Sequence, residues 1–163
     1  MKKWGLLLFS FASLSASAQT YGDWMVSESA DHDTFTAETS NESGQSFGKV
    51  CVASSQDCWW ALAIDPSCDH GATYPVMANT DTGAYSLTLY CVSVGKDKIM
   101  AFQDFNQADQ IGRGIGIVGF AVPMKGGAFR VFRFSLNGSS QAATRVSEIT
   151  VARGKNSTRD LTL

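Results

Sequence analysis

Four cysteines in the middle of the chain constrain its fold most, because their redox state decides whether neighbouring strands are covalently tied: Cys51, Cys58, Cys68 and Cys91. The first 18 residues bear on that redox state. Lys2 and Lys3 form a basic start, residues 4–14 are apolar apart from small residues, and residues 16–18 read Ala-Ser-Ala. This order is typical of a bacterial secretory signal peptide, 1–18, cleaved after Ala18, and it predicts that the cysteines fold in an oxidising compartment.

A membrane-spanning helix is the alternative interpretation of the leader. Such a helix needs about 20 apolar residues, whereas this apolar run is shorter and is diluted by serines at positions 10, 13, 15 and 17. No later segment is long and apolar enough to cross a bilayer. We therefore predict a periplasmic or secreted protein with no integral membrane segment, in which residues 19–163 form a single disulfide-bonded β domain.

Two disulfides are the expected arrangement for an even number of cysteines in an exported chain. Four cysteines allow three pairings, and we favour the nearest-neighbour one, which joins Cys51 to Cys58 and Cys68 to Cys91. A four-thiolate zinc site is the alternative. Such sites usually contain paired cysteines separated by only two to four residues, and the spacings here are wider than that.

Charge and hydrophobicity exclude several classes of protein. The full chain has 13 Lys and Arg against 15 Asp and Glu. Without the two leader lysines the balance is 11 against 15, a net charge of −4. This mild acidity argues against a nucleic-acid or anionic-membrane surface, since both need clustered basic residues. A hydrophobic content of 44% predicts a packed core rather than a disordered chain.

Short apolar runs alternate along the mature chain with Gly, Asn, Asp and Ser breaks, a pattern typical of all-β domains. In the clearest run, residues 85–92, Leu87, Leu89 and Cys91 fall on one face. Residues 58–64 alternate in the same way, and the following Pro66 ends that strand. The predicted strands are 24–29, 34–39, 47–53, 58–64, 76–79, 85–92, 98–105, 114–122 and 129–136.

About nine short strands in one domain predict an all-β, single-domain β-sandwich or barrel. One short C-terminal helix is also predicted. Ser139 or Ser140 can cap its first turn, and apolar residues then recur at helical spacing from Ala142 to Ile149. Gly154 is the predicted stop, and residues 155–163 are expected to be loose or to form an edge strand.

Residues 114–119 match the dinucleotide-binding pattern GxGxxG. That chemistry needs the glycines to end a strand and to open a helix whose first turn faces the pyrophosphate. Here the segment runs on into residues 120–122, which are strand-like. We interpret it as a glycine-rich strand, and we predict no cofactor.

The sequence contains no recognisable catalytic or metal-binding constellation. His32 and His70 each lie beside an aspartate, but two separated histidines do not form a ligand pattern. No serine lies in a G-x-S-x-G elbow. Asp104, Asn106 and Asp109 offer oxygens to a calcium ion, although the EF-hand pattern fails. We interpret all these groups as solvated loop residues, and we predict that the protein is not an enzyme and has no catalytic or metal residue.

The adjacent tryptophans Trp59 and Trp60 point to opposite faces if residues 58–64 form a strand. Trp60 shares the apolar face with Cys58, so it is predicted to lie in the core. Trp59 then either fills a second buried face or is partly exposed, as a recognition aromatic would be. Both alternatives stay open, and Trp59 is the one candidate recognition residue.

Two short stretches resemble the invasion-associated locus B family of exported bacterial proteins. Residues 21–24, Tyr-Gly-Asp-Trp, resemble the opening aromatic-Gly-x-Trp strand of that family. Residues 134–138, Phe-Ser-Leu-Asn-Gly, followed by Ala142 and Ala143, resemble its closing strand, turn and helix. The resemblance covers the two chain ends, and Val26-Ser27-Glu28 stand where the family usually has a cysteine. It implies a β-sandwich in the periplasm or at the envelope, and it carries over no catalytic residue.

Three functions follow from these features. The leading hypothesis is a non-enzymatic periplasmic or secreted protein that binds a protein or an envelope component. A periplasmic inhibitor or immunity protein is the second. A hydrolase of envelope polymers is the third, and it would need two carboxyls about 5–9.5 Å apart in a cleft near Trp59.

The leader and the cysteines generate one prediction. The protein recovered from the bacterial periplasm or medium should begin at Gln19, because the peptidase removes residues 1–18. All four cysteines should resist alkylation until a reductant is added. Amino-terminal sequencing and mass spectrometry check both points, and an intact leader or a freely alkylated thiol would contradict the export interpretation.

Overall fold

The structure, a computed structural model, describes residues 18–65, 68–94, 97–124 and 126–157. Residues 1–17 of the predicted leader and Pro66 lie outside the described residues. The described part is a single, mostly β domain, as predicted, with ten strands in one sheet and two helices. The strands are β1 Gln19–Tyr21, β2 Trp24–Glu28, β3 Thr34–Ser40, β4 Ser46–Val52, β5 Asp57–Ala63, β6 Thr73–Thr80, β7 Gly83–Val94, β8 Asp97–Phe102, β9 Ile117–Pro123 and β10 Phe129–Ser135; the helices are α1 Phe105–Gly112 and α2 Ser139–Ser157.

All nine predicted strands are present, with ends that differ by a few residues. The tenth, β1, has only three residues, too few for an alternating pattern to be visible in the sequence. Every neighbouring pair is antiparallel, and the order is β1-β2-β3-β4-β5-β8-β7-β6-β9-β10. Hairpins join most neighbours, so the chain builds the sheet largely by local pairing.

The sheet folds over on itself so that its inner face becomes the core. Phe47 of β4 is the centre of that core: its ring centroid lies 5.2 Å from that of Trp60, 5.0 Å from that of Phe120 and 5.8 Å from that of Phe134. The predicted sandwich or barrel is therefore realised as one open sheet whose two halves pack face to face. Within the described residues, no ladder joins β1 to β10 and closes it.

The two chain ends meet where the sheet stays open. The Trp24 indole Nε1 donates to the Ser135 carbonyl at 2.8 Å, and the Asp23 amide donates to the Asn137 carbonyl at 3.0 Å. Gly22 has φ +55° and Gly138 has φ +88°, and a Cβ at Gly138 would collide with the backbone of Tyr21. Both glycines are therefore needed for this close approach.

Two disulfides join Cys51 to Cys58 and Cys68 to Cys91, which is the nearest-neighbour pairing. Cys51 and Cys58 lie directly opposite each other in β4 and β5, with their Cα atoms 4.1 Å apart. The second bridge ties the segment before β6 to the middle of β7. Both bridges therefore link neighbouring parts of the sheet.

Helix α1 corrects the interpretation of residues 104–109 as a solvated loop. Asp104 is its N-cap, and its side chain accepts from the Gln107 amide at 2.9 Å. Asp109 accepts from the Trp60 indole Nε1 at 2.9 Å and from Lys49 Nζ at 3.1 Å. Both carboxylates therefore have structural roles. The prediction missed α1 because its eight residues include few apolar ones.

The ion pair between Asp109 and Lys49 lies at the rim of the core. The Lys49 side chain is only 4% exposed, and burial lowers its pKa. Burial would raise the pKa of Asp109, but hydrogen bonds from Trp60, Arg113 and Lys49 outweigh that effect and hold the pKa below its usual value. The Asp109 carboxylate thus joins α1 to the Trp60 indole by a hydrogen bond.

Helix α2 begins at Ser139, one of the two residues predicted as its N-cap, and it continues through Gly154 to Ser157. Gly154 is buried, and a Cβ there would lie 3.0 Å from the Ala53 carbonyl oxygen. This glycine therefore allows close packing against the β4–β5 turn and does not stop the helix, so the prediction of a loose tail is wrong for residues 155–157. Ala142, Ala143 and Val146 cover the inner face of the sheet near β2 and β3.

The glycine-rich residues 114–119 lead into β9, and no helix follows them. Gly116 has φ +74° and turns the chain into the strand. This geometry lacks the strand-to-helix turn that a dinucleotide site needs. Among the described residues, neither helix has the length and apolar character required to cross a membrane.

Packing of α1 on Trp60 generates a prediction about Gly112. A Cβ at Gly112 would lie 2.7 Å from Trp60 Cζ2, so Gly112→Ala should lower the free energy of unfolding by about 1–3 kcal/mol. Gly119→Ala is the matched control, since a Cβ there meets its nearest atom, Val131 Cγ1, at an ordinary 3.5 Å. Urea unfolding measures both variants, and equal stability would show that α1 does not rest on Trp60.

The ion pair generates a prediction about pH. Asp109→Asn leaves the buried Lys49 ammonium without its carboxylate, which should cost about 3 kcal/mol at neutral pH. Because the folded pKa of Asp109 is lowered, the pair stabilises the fold above the ordinary pKa of 3.8 and loses that effect as the pH falls through the folded value.

Thermal unfolding from pH 7 to pH 2 measures the difference in unfolding temperature between wild type and Asp109→Asn. We expect this difference to become smaller below about pH 4. Asp57→Asn, at an exposed position of β5, is the control and should follow wild type throughout. A gap of constant size across this range would contradict the assigned role of the Asp109 carboxylate.

Candidate functional site

The outer face of the sheet carries a row of small residues that crosses three strands. Gly48 of β4 lies opposite Ala61 of β5, and Ala61 lies opposite Ala101 of β8. A Cβ at Gly48 would lie 2.8 Å from Glu38 Cβ on β3, so no larger residue fits at this position. The row therefore forms a low floor on a surface where neighbouring side chains stand higher.

Other side chains border this floor on both sides and make a trough of about 440 Å³. Val50 and Trp59 lie opposite each other on one side, and Ala63 and Ile99 line the other. We call this depression the Trp59 trough, and its lining residues are Thr34, Thr36, Glu38, Ser46, Gly48, Val50, Val52, Trp59, Ala61, Ala63, Ser93 and Ile99. Its volume falls within the range typical of ligand sites, about 300–1,000 Å³.

Trp59 is half-buried on the outer face, opposite to the core position of Trp60. Its indole Nε1 is buried and has no hydrogen-bond partner among the described residues. A buried donor without a partner costs about 1–3 kcal/mol, and such a group in a native structure calls for an explanation. The half-buried aromatic side chain on this outer face makes the surface a candidate for binding.

Glu38 is the acidic group of the Trp59 trough. Desolvation raises the pKa of its half-buried carboxyl. Among the described residues it has neither an ion pair nor a side-chain hydrogen bond. A carboxylate in this position gains most from a cationic group that approaches from outside. The trough thus combines an apolar cleft with one uncompensated negative charge.

The structure does not bring the two histidines together. His32 is exposed, with Nδ1 2.8 Å from Glu28 Oε1, and His70 is exposed, with Nδ1 3.1 Å from Ser93 Oγ. No group of three or more His, Cys, Asp or Glu side chains in the described ranges is arranged to hold a metal ion. The four cysteines are all paired in disulfides.

Sequence reasoning found Trp59 but missed the rest of the trough. The strand alternation alone separated Trp59 from Trp60. The floor depends on the register that sets Gly48, Ala61 and Ala101 side by side, and these residues are far apart in the chain. Glu38 gave no signal of its own, because its burial depends on the strands that pair with β3, which are set by the fold and not by residues next to it in the chain.

Comparisons with known proteins bear on the fold. No protein-family model matches the sequence, and no curated protein does. The fold is similar to the crystal structure of invasion associated protein B from Bartonella henselae, with a TM-score of 0.57 and 16% identity over 82% of this chain and 97% of that chain. At this identity the likeness shows a shared fold and nothing more specific.

Proposed function

We propose that the mature chain is an exported, non-enzymatic binding protein of the bacterial envelope, which holds a protein partner in the Trp59 trough. The observation that carries this proposal is the trough itself. It sets a half-buried aromatic side chain beside a floor of small residues on an outer sheet face. Aromatic residues beside a well-formed cleft supply much of the binding energy at protein interfaces.

The chemistry of the trough specifies what the partner presents. Its surface is mainly apolar, so it accepts an apolar or aromatic side chain. Glu38, at the β3 edge of the trough, has no cation of its own within the described residues. The partner segment therefore offers an apolar side chain with a Lys or Arg close to it, and the basic group pairs with the Glu38 carboxylate.

Hydrolysis of an envelope polymer has less support from the geometry. That reaction uses two carboxyl groups about 5–9.5 Å apart across the bond to be cleaved. Glu38 is the one carboxylate among the described residues that line the Trp59 trough. A single acid beside an apolar floor favours binding over acid–base chemistry.

Two observations support the proposed compartment. Two disulfides fit a protein that folds in the oxidising periplasm or outside the cell. The fold is also shared with a protein named for its association with invasion, the one from Bartonella henselae. Both agree with an envelope-associated role and with the predicted leader.

Site-specific crosslinking tests the proposal. The mature protein carries p-benzoylphenylalanine in place of Ala63, an exposed residue of the trough wall, and is irradiated in bacterial periplasmic extract. We expect one protease-sensitive adduct. Trp59→Ala removes the aromatic contact and Ala61→Trp fills the floor, so each should reduce the adduct by about tenfold or more, the effect of losing one hot-spot contact.

Ser86→Trp is the matched control, because Ser86 is an exposed residue of the same outer face outside the trough. It should leave the adduct unchanged, and circular dichroism should show that all variants are folded. An adduct that survives Ala61→Trp, the absence of any adduct, or an adduct that protease does not degrade would each refute a protein partner in this trough. The last outcome would point to a glycan or lipid.

A further inference from the structure

The outer edge of β10 is an unpaired strand edge. β10 pairs with β9 alone and ends the sheet. The Leu136 amide donates to the Gly116 carbonyl, so the backbone groups of Leu136 point toward β9. Backbone groups alternate in direction along a strand, so those of Phe134 and Phe132 also point toward β9. The amides and carbonyls of Phe129, Val131 and Arg133 therefore point away from β9, and within the described residues they bond to nothing.

A second wall faces this edge across a gap that we call the seam, lined by Asp23, residues 39–43, Val131, Arg133 and Ser135. β2 begins at Trp24, and its ladder with β3 reaches no further than the pair of Met25 and Glu38. The backbone groups of Ser40 point to the same side of β3 as those of Glu38, which is the side where β2 pairs. Since β2 does not extend that far, the Ser40 backbone faces the seam without a strand partner within the described residues. The seam encloses about 880 Å³.

The surface beside the seam is apolar and basic. Phe129 is 68% exposed and Val131 is 48% exposed, and Met77 of β6 lies in the same row as Val131 through Ala121. Arg133 is exposed and makes no ion pair within the described residues. A long edge strand with exposed apolar side chains is normally blunted or covered. β10 carries two arginines and is covered at Ser135, whose carbonyl accepts from the Trp24 indole, but the edge backbone of Phe129, Val131 and Arg133 stays unpaired within the described residues.

We propose that the seam receives an extended segment of a partner polypeptide, which adds to β10 as an extra strand. The unpaired backbone groups of β10, together with that of Ser40 on the other wall, match a ligand that offers its own alternating amides and carbonyls, and a polypeptide strand does so. The partner strand carries a carboxylate at the position beside Arg133 and β-branched or apolar residues beside Val131 and Phe129. Glu42 on the opposite wall favours a polar or basic side chain there.

A second copy of the chain fits this edge less well. Directly opposed residues of an antiparallel pair share the same alternation, so two β10 edges pair with, for example, Val131 opposite Val131 and Phe129 opposite Arg133. Since β10 contains no acidic residue, no register of two copies gives Arg133 a carboxylate, whereas a partner strand can supply one. The inference does not depend on the Trp59 trough, which lies on another part of the sheet.

Labelled peptides test the seam. The probes are fluorescein-labelled seven-residue peptides of alternating Thr and Val with a central Glu, a central Lys or a central Pro, and anisotropy measures their binding to the mature protein. We expect the Glu peptide to bind about fivefold to tenfold more tightly than the Pro peptide, which lacks one backbone donor. Arg133→Glu should reverse the preference between the Glu and Lys peptides.

Backbone variants make the test specific for strand addition. Val131→Pro removes an amide that faces the seam and leaves the β9 ladder intact. It should therefore weaken binding of the Glu peptide about fivefold to tenfold. Val131→Thr keeps the amide and should bind as wild type does. Ala61→Trp should also bind as wild type does, which separates this result from the proposed function of the trough.

Two results would overturn the inference. One is that the Glu peptide does not bind at all. The other is that it binds equally to wild type, Val131→Pro and Arg133→Glu, since binding would then occur elsewhere. Unfolding temperatures of the variants, measured alongside, establish that each remains folded. A rise in molecular mass that depends on protein concentration and is lost in Val131→Pro would instead assign the edge to a second copy.

Discussion

The packing of Phe47 holds this fold together. Its ring meets those of Trp24, Trp60, Phe102, Phe120 and Phe134, which come from five other strands. Since no ladder within the described residues closes the sheet, these ring contacts keep its two halves together, each worth about 0.5–1.5 kcal/mol beyond the area it buries. The disulfides tie only neighbouring segments, so the long-range closure of the domain rests on aromatic packing together with the hydrogen bonds between the chain ends.

Alternation of apolar residues was enough to predict most of the sheet, because one face of each strand is buried in a single core. It could not predict α1. The helix contributes only Ala108, Ile111 and Gly112 to the interior, and it is held by the Asp109 carboxylate, whose partner Lys49 lies in a distant strand. Gly154 was misassigned for a similar reason. Its role is set by the β4–β5 turn it touches, which no local pattern reveals.

The candidate site, like the fold, could be predicted from the sequence only in part. Strand alternation separated Trp59 from Trp60, but the depth of the trough comes from the register of three strands, and a sequence does not state register. The two chain-end motifs that resemble invasion-associated locus B proteins meet in space through Trp24, Asp23, Ser135 and Asn137. These motifs therefore build the junction of the chain ends, and this explains why they indicate a fold and not an activity.

The bridge between Cys51 and Cys58 has a consequence for recognition. A strand that slips by one residue turns its side chains to the opposite face. A covalent link between directly opposed residues forbids such a slip between β4 and β5. Gly48 is thereby held opposite Ala61 in the free protein, so the floor of the trough is pre-organised. The entropy cost of ordering this floor is met when the disulfide forms during folding, and it does not reduce the affinity for a ligand.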